Sequence, residues 1–224
     1  MKRGLFVTGT DTGVGKTRVA AALAQLLTQH GATVRPRKPA ESGCPRKDGR
    51  LFPQDADALR LAAGALDPIE TVCPYPFEPA IAPDRAARLA GRPLTIAALA
   101  AACREGVKEG DFLLVEGAGG FYSPLAEDGL NADLAVALGL PVLLVAADRL
   151  GCINHTLLCV EAISRRGLTL AGVALNRTAP AAAGLAMDNA ADLGARLGRP
   201  VLNLPYREET AAWPELASLA DRCL

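Results

Sequence analysis

Short apolar runs alternate along this chain with longer stretches in which apolar residues recur every three or four positions. Continuous apolar runs are typical of strands buried on both faces of a parallel sheet, whereas the periodic stretches indicate amphipathic helices. The runs predict strands at residues 5–7, 32–38, 111–115, 141–146, 170–175 and 201–204. Pro36 weakens the second of these, because proline cannot donate a hydrogen bond to a neighbouring strand.

Helices are predicted between the strands by apolar periodicity and by terminal residues. They are expected to begin at residues 16, 55, 86, 95, 131, 155 and 181, and a helical tail after residue 208 is interrupted by Pro214. Thr95 is the expected N-cap of its helix. Residues 44–53 and the proline-rich stretch 67–83 lack periodicity, so both are expected to be irregular connections. The alternation predicts an α/β fold, with a mostly parallel, doubly wound sheet in a single domain spanning residues 1–224.

The segment Gly9-Thr-Asp-Thr-Gly-Val-Gly-Lys-Thr17 is a candidate phosphate-binding loop between the first strand and the first helix. Backbone N–H groups in such a loop bind anions, Lys16 would add positive charge, and the Thr17 hydroxyl would be a ligand for Mg²⁺. The template G-x-x-x-x-G-K-[ST] requires a glycine where this chain has Thr10, so the loop is one residue longer. A glycine-rich turn with an incidental lysine is the alternative. We favour the phosphate loop, and hence a P-loop NTPase-like fold, because the strand-to-helix context is retained.

An acidic residue followed by glycines closes the strand at residues 111–115. The residue just past a parallel strand lies at the ligand-binding edge of the sheet, so Glu116 is expected beside the phosphate loop. A carboxylate there commonly holds Mg²⁺, and Gly117, Gly119 and Gly120 would let the backbone approach a ligand closely. A solvated turn carboxylate is the alternative interpretation.

Other polar segments also follow predicted strands, at residues 38–42, 148–154, 176 and 205–207, and should meet at the same edge. The helix N-terminus after residue 150 could bind a substrate carboxylate through free N–H groups. His155 is interpreted there as a helix-start residue rather than a catalyst. Asp55 and Asp57 lie in the first turn of another helix. Favourable interaction with the helix dipole explains both acids as well as a functional role would.

Composition argues against several classes of function. With 24 basic and 24 acidic residues among 224 and 4% aromatics, the chain lacks the charge and stacking side chains of a nucleic-acid-binding protein. Six cysteines without a C-x-x-C pair and only two histidines make a structural zinc site unexpected. No apolar run approaches the roughly 20 residues that span a bilayer, and no secretory signal is recognised before the phosphate loop. We therefore expect a soluble, reduced, cytoplasmic protein with no membrane or nucleic-acid partner.

In order and spacing, the motifs resemble dethiobiotin synthetase. The resemblance rests on the phosphate loop, Lys38-Pro39 with Ser42-Gly43, Val115-Glu-Gly-Ala-Gly-Gly120, Leu150-Gly-Cys-Ile-Asn-His155 and residues 172–176, and it covers most of the chain. The longer phosphate loop is itself a feature of that family. The resemblance implies an ATP-dependent ligase of biotin biosynthesis that joins CO₂ to 7,8-diaminopelargonate. One amine takes up CO₂ as a carbamate, the carbamate attacks the γ-phosphate, and the second amine displaces phosphate, giving dethiobiotin and ADP.

The resemblance also implies roles for individual residues. The implied catalytic residues are Lys16 and Lys38, and the implied ligands of Mg²⁺ are Thr17, Asp57 and Glu116. Asp57 is chosen over Asp55 because Asp57-Ala-Leu lines up with the family's Asp-Ala-Leu. The implied substrate contacts are Thr12, Ser42, Leu150, Gly151, Cys152 and Asn154. The implied contacts of ATP are Gly13, Val14, Gly15, Lys16, Thr17, Arg18, Asp57, Glu116, Gly117, Ala118, Gly119, Asn176, Arg177, Pro205, Tyr206 and Arg207. Residues 150–154 resemble a segment that binds the substrate's carboxylate across a subunit interface, which implies a homodimer.

Other classes of protein share parts of this pattern. Nucleotide switches of the chromosome-partitioning or division-site type carry a second lysine where this chain has Asp11, and Pro214 disfavours the amphipathic terminal helix of their membrane-binding members. A cobyrinate-type amidotransferase needs a further domain that 224 residues cannot accommodate. A small-molecule kinase would share the phosphate loop without needing Lys38-Pro39 or residues 150–155. The chain departs from the family at Ala82 and Pro83-Asp84, where serine and Pro-His are common, so no substrate contact is assigned there.

Overall fold

The computed structural model describes residues 3–180, 188–207 and 213–224. Its strands are β1 (Gly4–Gly9), β2 (Val34–Arg37), β3 (Ala40–Ser42), β4 (Arg46–Lys47), β5 (Arg50–Leu51), β6 (Tyr75–Phe77), β7 (Phe112–Glu116), β8 (Pro124–Ala126), β9 (Gly129–Leu130), β10 (Val142–Ala147), β11 (Leu170–Asn176) and β12 (Leu202–Leu204). Its helices are α1 (Lys16–Gln29), α2 (Gln54–Ala62), α3 (Ile69–Val72), α4 (Pro83–Leu89), α5 (Ile96–Arg104), α6 (Asn131–Leu138), α7 (Cys152–Arg165), α8 (Asn189–Leu197) and α9 (Ala217–Cys223), with a 3-10 turn at Pro214–Leu216.

Six of these strands form one sheet in the order β12-β11-β10-β1-β7-β2. Every neighbouring pair in it is parallel. The chain places β2 and β7 on one side of β1 and β10 to β12 on the other, so the direction of winding reverses at β1. The predicted α/β class with a parallel, doubly wound sheet is confirmed. In this topology the carboxyl ends of the strands flanking the reversal form the ligand-binding edge.

Helices cover both faces of the sheet, and β1 supplies side chains to both of the resulting cores. Leu5 and Val7 pack with residues of α1 and α9, whereas Phe6 packs with residues of α5, α6 and α7. This division follows from the strand geometry, in which successive side chains point to opposite faces. Burying each such side chain stabilises the fold by about 1.5–3 kcal/mol, so a one-residue shift of β1 would be strongly disfavoured. The register of β1 against its neighbours is therefore fixed, and with it the starting point of the phosphate loop that follows.

Most predicted elements are observed within one to three residues of their expected ends. Thr95 caps α5 as predicted, because its side chain accepts a hydrogen bond from the Ala98 N–H. Pro36 is accommodated because β2 is an edge strand that pairs only with β7. The predicted helix at 181–197 is observed from Asn189, and residues 181–187 lie outside the described residues, as do residues 208–212 of the predicted tail.

Two predicted irregular connections contain regular structure. The stretch 67–83 holds α3 and β6, and β6 pairs in parallel with β3. Residues 44–53 include the antiparallel hairpin formed by β4 and β5. The prediction of irregular structure was wrong in both places, because these segments are too short to show periodicity and the prolines of 67–83 disguise a strand stabilised by its partner β3.

A buried ionic network ties the edge strand β2 to the connection after α2. The Arg37 guanidinium, which is 0% exposed, donates to Asp67 Oδ2 at 2.6 Å and to the carbonyl of Glu105 at 2.6 Å. Arg35 donates to the other Asp67 oxygen and to Asp111, each at 2.8 Å. Because Arg37 directly precedes Lys38, this network fixes the strand end from which the Lys38 side chain departs.

No helix in the described part of the chain combines the length and the apolar character needed to cross a bilayer. The six cysteines are all free thiols. Burial raises the pKa of the Cys44 thiol to about 11 and that of Cys103 to about 12. These thiols are therefore protonated, weak nucleophiles near neutral pH.

We expect Asp67→Ala to destabilise the protein by about 3 kcal/mol, because the substitution leaves the Arg37 guanidinium buried without its counter-ion. Urea denaturation followed by circular dichroism measures this free energy of unfolding. Glu161→Ala is the matched control: it breaks the ion pair with Arg165, whose two side chains are both largely exposed, and should have little effect. Equal effects of the two substitutions would contradict the structural role of the buried pair.

Candidate active site

A cavity of about 600 Å³ opens at the carboxyl edge of the sheet, at the ends of β1, β2 and β7. It is lined by Thr12, Gly13, Gly15, Lys16, Thr17, Arg18, Lys38, Glu41, Ser42, Asp55, Ala80, Ile81, Ala82, Pro83, Glu116, Ala118, Gly119, Ser123 and Pro124. The phosphate loop, both predicted catalytic lysines, and the predicted substrate residues Thr12 and Ser42 therefore share one cavity. One part of its wall, residues 80–83, is apolar and comes from the segment that leads into α4.

The phosphate loop ends at Gly15, whose backbone requires glycine. Its φ is +90°, and a Cβ atom added there would lie 2.1 Å from the Nδ2 atom of Asn176. Lys16 then begins α1, and its Nζ donates to the Asp11 carbonyl at 2.9 Å. The Thr17 hydroxyl donates to Glu116 Oε1 at 2.9 Å, which joins the loop to the end of β7.

Lys38 lies at the centre of the charged groups in the cavity. Its Nζ is 2.5 Å from Glu116 Oε1, 3.1 Å from Asp55 Oδ2 and 3.4 Å from the carbonyl of Gly117. The side chain is only 4% exposed. Lys38 therefore joins the ends of β2 and β7 to the start of α2 through a single ammonium group.

The two lysines have opposite pKa shifts. Burial, and after it the nearby positive charge of Lys38, lower the pKa of Lys16 to about 8, although the surrounding carboxylates raise it. Burial alone would also lower the pKa of Lys38, but the carboxylates of Glu116, Asp55 and Glu41 outweigh it, so that the pKa is raised. Lys38 is thus a permanent cation, whereas the charge of Lys16 is the one that a bound anion would stabilise.

The structure brings Asp55, and not Asp57, into the cavity. The Asp57 carboxylate instead accepts two hydrogen bonds from Arg60, at 3.0 and 2.8 Å, one turn along α2. Asp57, the residue chosen from the sequence, is therefore not among the residues that line the cavity. The physical reason is the helical repeat: residues two apart are separated by roughly 200° around the axis, so only one of the two can face the sheet edge.

Glu41 is a cavity residue that the sequence analysis did not single out. Its carboxylate accepts the backbone N–H of Asp55 through Oε1 and that of Ala56 through Oε2, both at 3.0 Å. Burial, followed by the charge of Asp55, raises the pKa of this carboxyl group. The only signal in the sequence is an acid within Lys38-Pro-Ala-Glu-Ser42, directly after a strand.

The glycine-rich turn after Glu116 is held by a buried asparagine at the start of α6. Asn131 Oδ1 accepts from the Ala118 N–H at 3.0 Å, and its Nδ2 donates to the Ala118 carbonyl at 2.5 Å. A Cβ on Gly117 would lie 2.7 Å from Asn131 Oδ1, so glycine is needed for this close approach. Ala118 and Gly119 line the cavity.

The predicted ATP contacts Asn176, Arg177 and 205–207 lie outside the lining of this cavity. Asn176 is buried and donates through Nδ2 to the Val14 carbonyl at 2.9 Å, while its Oδ1 has no partner among the described residues. Arg177 pairs with Asp148 at 3.0 Å. Two carbonyls of the segment 205–207 are also bound: that of Arg207 accepts from Arg18 at 2.6 Å, and that of Pro205 accepts from Trp213 at 3.1 Å. Arg18, which also lines the cavity, therefore links it to this segment.

The remaining predicted substrate residues, Leu150, Gly151, Cys152 and Asn154, are not part of the cavity wall. They lie at the N-terminus of α7, where Gly151 is the N-cap with φ of +91°. Cys152 is buried, whereas Leu150 is 88% exposed. His155 lies in the first turn of α7, as expected of a helix-start residue.

The oxygen atoms around Lys38 fit a hard divalent cation. Glu116 Oε2 is buried and has no hydrogen-bond partner in the described residues, although a buried carboxylate oxygen normally has one. The Thr17 hydroxyl and the Asp55 carboxylate lie within the same cluster. No group of three or more acidic, histidine or cysteine side chains in residues 3–180, 188–207 and 213–224 is arranged as a metal site. Mg²⁺ at phosphate sites is, however, usually held by one or two carboxylates together with the phosphates.

Solved structures with the same fold belong to nucleotide-dependent proteins. A ParA family ATPase from Chlorobium tepidum aligns over 100% of this chain and 99% of its own, with a TM-score of 0.58 and 15% identity. The septum site-determining protein MinD from Pyrococcus horikoshii, solved with Mg-ADP, aligns over 99% of this chain and 96% of its own, with a TM-score of 0.60 and 15% identity. At this identity the likeness establishes the fold alone.

Sequence relatives are much closer. A model described as an AAA domain matches residues 3–212. Two proteins from strains of Anaeromyxobacter dehalogenans, both named ATP-dependent dethiobiotin synthetase BioD, are each 46% identical to this chain. One match covers 93% of this chain and 92% of the relative, and the other covers 98% and 93%. The chain belongs to the dethiobiotin synthetase family.

Proposed function

We propose that this chain forms dethiobiotin from 7,8-diaminopelargonate, CO₂ and ATP, releasing ADP and phosphate. The observation that carries the proposal is the placement of the Lys38 ammonium between Glu116 and Asp55, in the same cavity as the phosphate loop. A phosphate loop alone would suit many phosphotransferases. A second buried cation facing it suits a reaction that joins two anions, a triphosphate and a carbamate.

The reaction balances in three steps. An amine nitrogen attacks CO₂, loses a proton and becomes a carbamate. A carbamate oxygen then bonds to the γ-phosphorus as ADP leaves, and finally the second amine attacks the carbamate carbon while phosphate leaves and the ring closes. Each of the last two steps places negative charge on transferring oxygens, so positioning and charge neutralisation supply most of the catalysis. Lys16 would face the outer phosphates, and Lys38 the carbamate.

We assign the Mg²⁺ ligands as Thr17, Asp55 and Glu116, with Asp55 replacing the Asp57 of the sequence prediction. When bound, the ion would neutralise charge on the phosphate oxygens. The assignment is supported by the unpartnered Oε2 of Glu116 and by the position of Asp55 in the cavity. Lys38 holds the carboxylates of Asp55 and Glu116 together, and an entering cation would have to replace Lys38 as their partner.

We also propose a cytoplasmic homodimer whose substrate site lies at the interface. The cavity lining does not include residues 150–154 of the same chain, and Leu150 is 88% exposed, which leaves that segment available to a second subunit. Thr12 and Ser42, with the apolar residues 80–83, would hold the diamine from this chain. A molar mass of a single chain by light scattering would contradict the dimer. The proposed contacts of the adenine base of ATP remain Asn176 and the segment 205–207.

The proposed reaction predicts that ADP release depends on both substrates of the carboxylation. We expect release with diaminopelargonate and bicarbonate together, and only a low rate when either is withheld, because no acceptor for the γ-phosphoryl group then forms. A coupled assay of ADP measures this. Release that needs neither compound but is stimulated by a protein or lipid surface would instead favour a nucleotide switch.

Lys38→Gln should lower kcat by at least about 100-fold, the effect typical of removing a group that stabilises transition-state charge. Glutamine keeps an N–H donor toward Glu116 and Asp55, so the fold should be retained. Nucleotide affinity, measured by calorimetry, should change far less than kcat, because the phosphate loop is intact. A variant with normal kcat would contradict the catalytic role, and one that has simply unfolded would indicate a structural role.

The two aspartates of α2 should differ sharply when each is replaced by asparagine. Asp55→Asn removes a charged oxygen from the cluster and should raise the Mg²⁺ concentration needed for half-maximal activity about tenfold or more. Asp57→Asn should leave this concentration nearly unchanged, because its carboxylate contacts Arg60 instead. Activity titrated against Mg²⁺ distinguishes the two, and the reverse ranking would restore the assignment made from the sequence.

A further inference from the structure

Helix α2 begins without a cap of its own. Its N-cap residue is Pro53, which offers no side-chain acceptor to the free N–H groups of the first turn. Such groups need an acceptor when they are withdrawn from water. Asp55 and Ala56 lie in this turn, and Ala56 is 0% exposed. The first turn of α2 therefore depends on an acceptor from elsewhere in the chain.

Glu41, on the separate strand β3, supplies that acceptor. Its two carboxylate oxygens each accept one of these backbone N–H groups, at 3.0 Å. The residue is only 6% exposed. A carboxylate at this place also interacts favourably with the positive end of the helix dipole. Glu41 thus caps α2 through a tertiary contact, because Asp55 and Ala56 follow it by 14 and 15 positions in the sequence.

Asp55, one of the two residues whose N–H groups bind Glu41, also extends its side chain to Lys38. The Asp55 carboxylate is 46% exposed and lies 3.1 Å from Lys38 Nζ. A half-exposed carboxylate in the first turn of a nine-residue helix would sample several positions if its backbone were free, because helix ends tend to fray. The hydrogen bond from the Asp55 N–H to Glu41 removes that freedom, and so limits the positions that the Asp55 carboxylate can take as a ligand.

We propose that Glu41 is a positioning residue, which docks the first turn of α2 onto β3 so that the Asp55 carboxylate is held at the metal and phosphate site. The inference rests on the proposed assignment of Asp55 as a metal ligand. Glu41 acts through the backbone of Asp55 and does not itself bind the cation or the diamine. Groups that orient metal ligands in this way commonly affect metal affinity by 10-fold or more when removed.

Glu41→Gln tests the proposal with almost no change in shape. The amide keeps one oxygen acceptor but turns its NH₂ group toward a second N–H donor, so one of the two capping bonds is lost. Two readouts are needed, neither of which is activity: amide hydrogen exchange of the peptide containing residues 54–56, and binding of Mn²⁺ in the presence of ADP, followed by electron paramagnetic resonance. We expect faster exchange and about tenfold weaker Mn²⁺ binding, with larger effects in Glu41→Ala.

Glu78→Gln is the matched control, because it also removes one carboxylate near β3 and β6 but from an exposed pair with Arg46. It should leave both readouts unchanged. Faster exchange with unchanged Mn²⁺ affinity would overturn the proposal, since the cap would then be purely structural. Weaker Mn²⁺ binding with unchanged exchange would also overturn it, since Glu41 would then act by its charge or as a direct ligand. A raised KM for the diamine with both readouts unchanged would make Glu41 a substrate contact.

Asp55→Asn, measured in the same Mn²⁺ titration, separates failure of this inference from failure of the site assignment. If Asp55→Asn weakens Mn²⁺ binding and Glu41→Gln does not, only the positioning role is lost. If neither substitution affects Mn²⁺ binding, the assignment of Asp55 as a metal ligand is wrong. Thermal melting of each variant confirms that the comparison is made between folded proteins.

Discussion

This site depends on the ionic contacts of the buried Lys38 ammonium group. An isolated charge at 4% exposure would be neutralised rather than tolerated, so its carboxylate partners are part of the fold as much as of the chemistry. Glu116 ends β7 and Asp55 begins α2, so the cation holds elements that no hydrogen-bonded ladder joins at that point. Stability and catalysis therefore compete for the same contacts. A ligand that binds one of these carboxylates must itself provide an anion that pairs with Lys38.

A bound carbamate and triphosphate would provide that anion. Burial is the main reason that the pKa of Lys16 falls to about 8, and repulsion between Lys16 and Lys38 lowers it as well, even with three carboxylates nearby. Binding an anion between them relieves this repulsion and restores the ordinary preference of Lys16 for its charged form. The two lysines thus favour anionic ligands over neutral molecules of the same shape.

The sequence predicted what depends on local pattern and on strand ends. β1, its phosphate loop and the start of α1 follow from an apolar run, glycines and Lys16, and Glu116 follows from its place after β7. Periodicity could not choose between Asp55 and Asp57, because the choice depends on how α2 is rotated against the sheet. That rotation goes with tertiary contacts: Leu59 and Ala63 pack in the core that contains α1, and the Asp55 and Ala56 N–H groups bind Glu41.

The fold itself does not select the reaction, since a ParA family ATPase and the septum site-determining protein MinD, each 15% identical to this chain, share it over nearly the whole chain. The phosphate loop is the part of the site that such a fold provides for any nucleotide. The groups that we propose for the carboxylating reaction, Lys38, Ser42 and Asp55, lie between the end of β2 and the first turn of α2. That stretch is held by the two hydrogen bonds from the start of α2 to Glu41 and by the buried Arg37 network beside Lys38, so the proposed specific part of the site depends on contacts outside the phosphate loop.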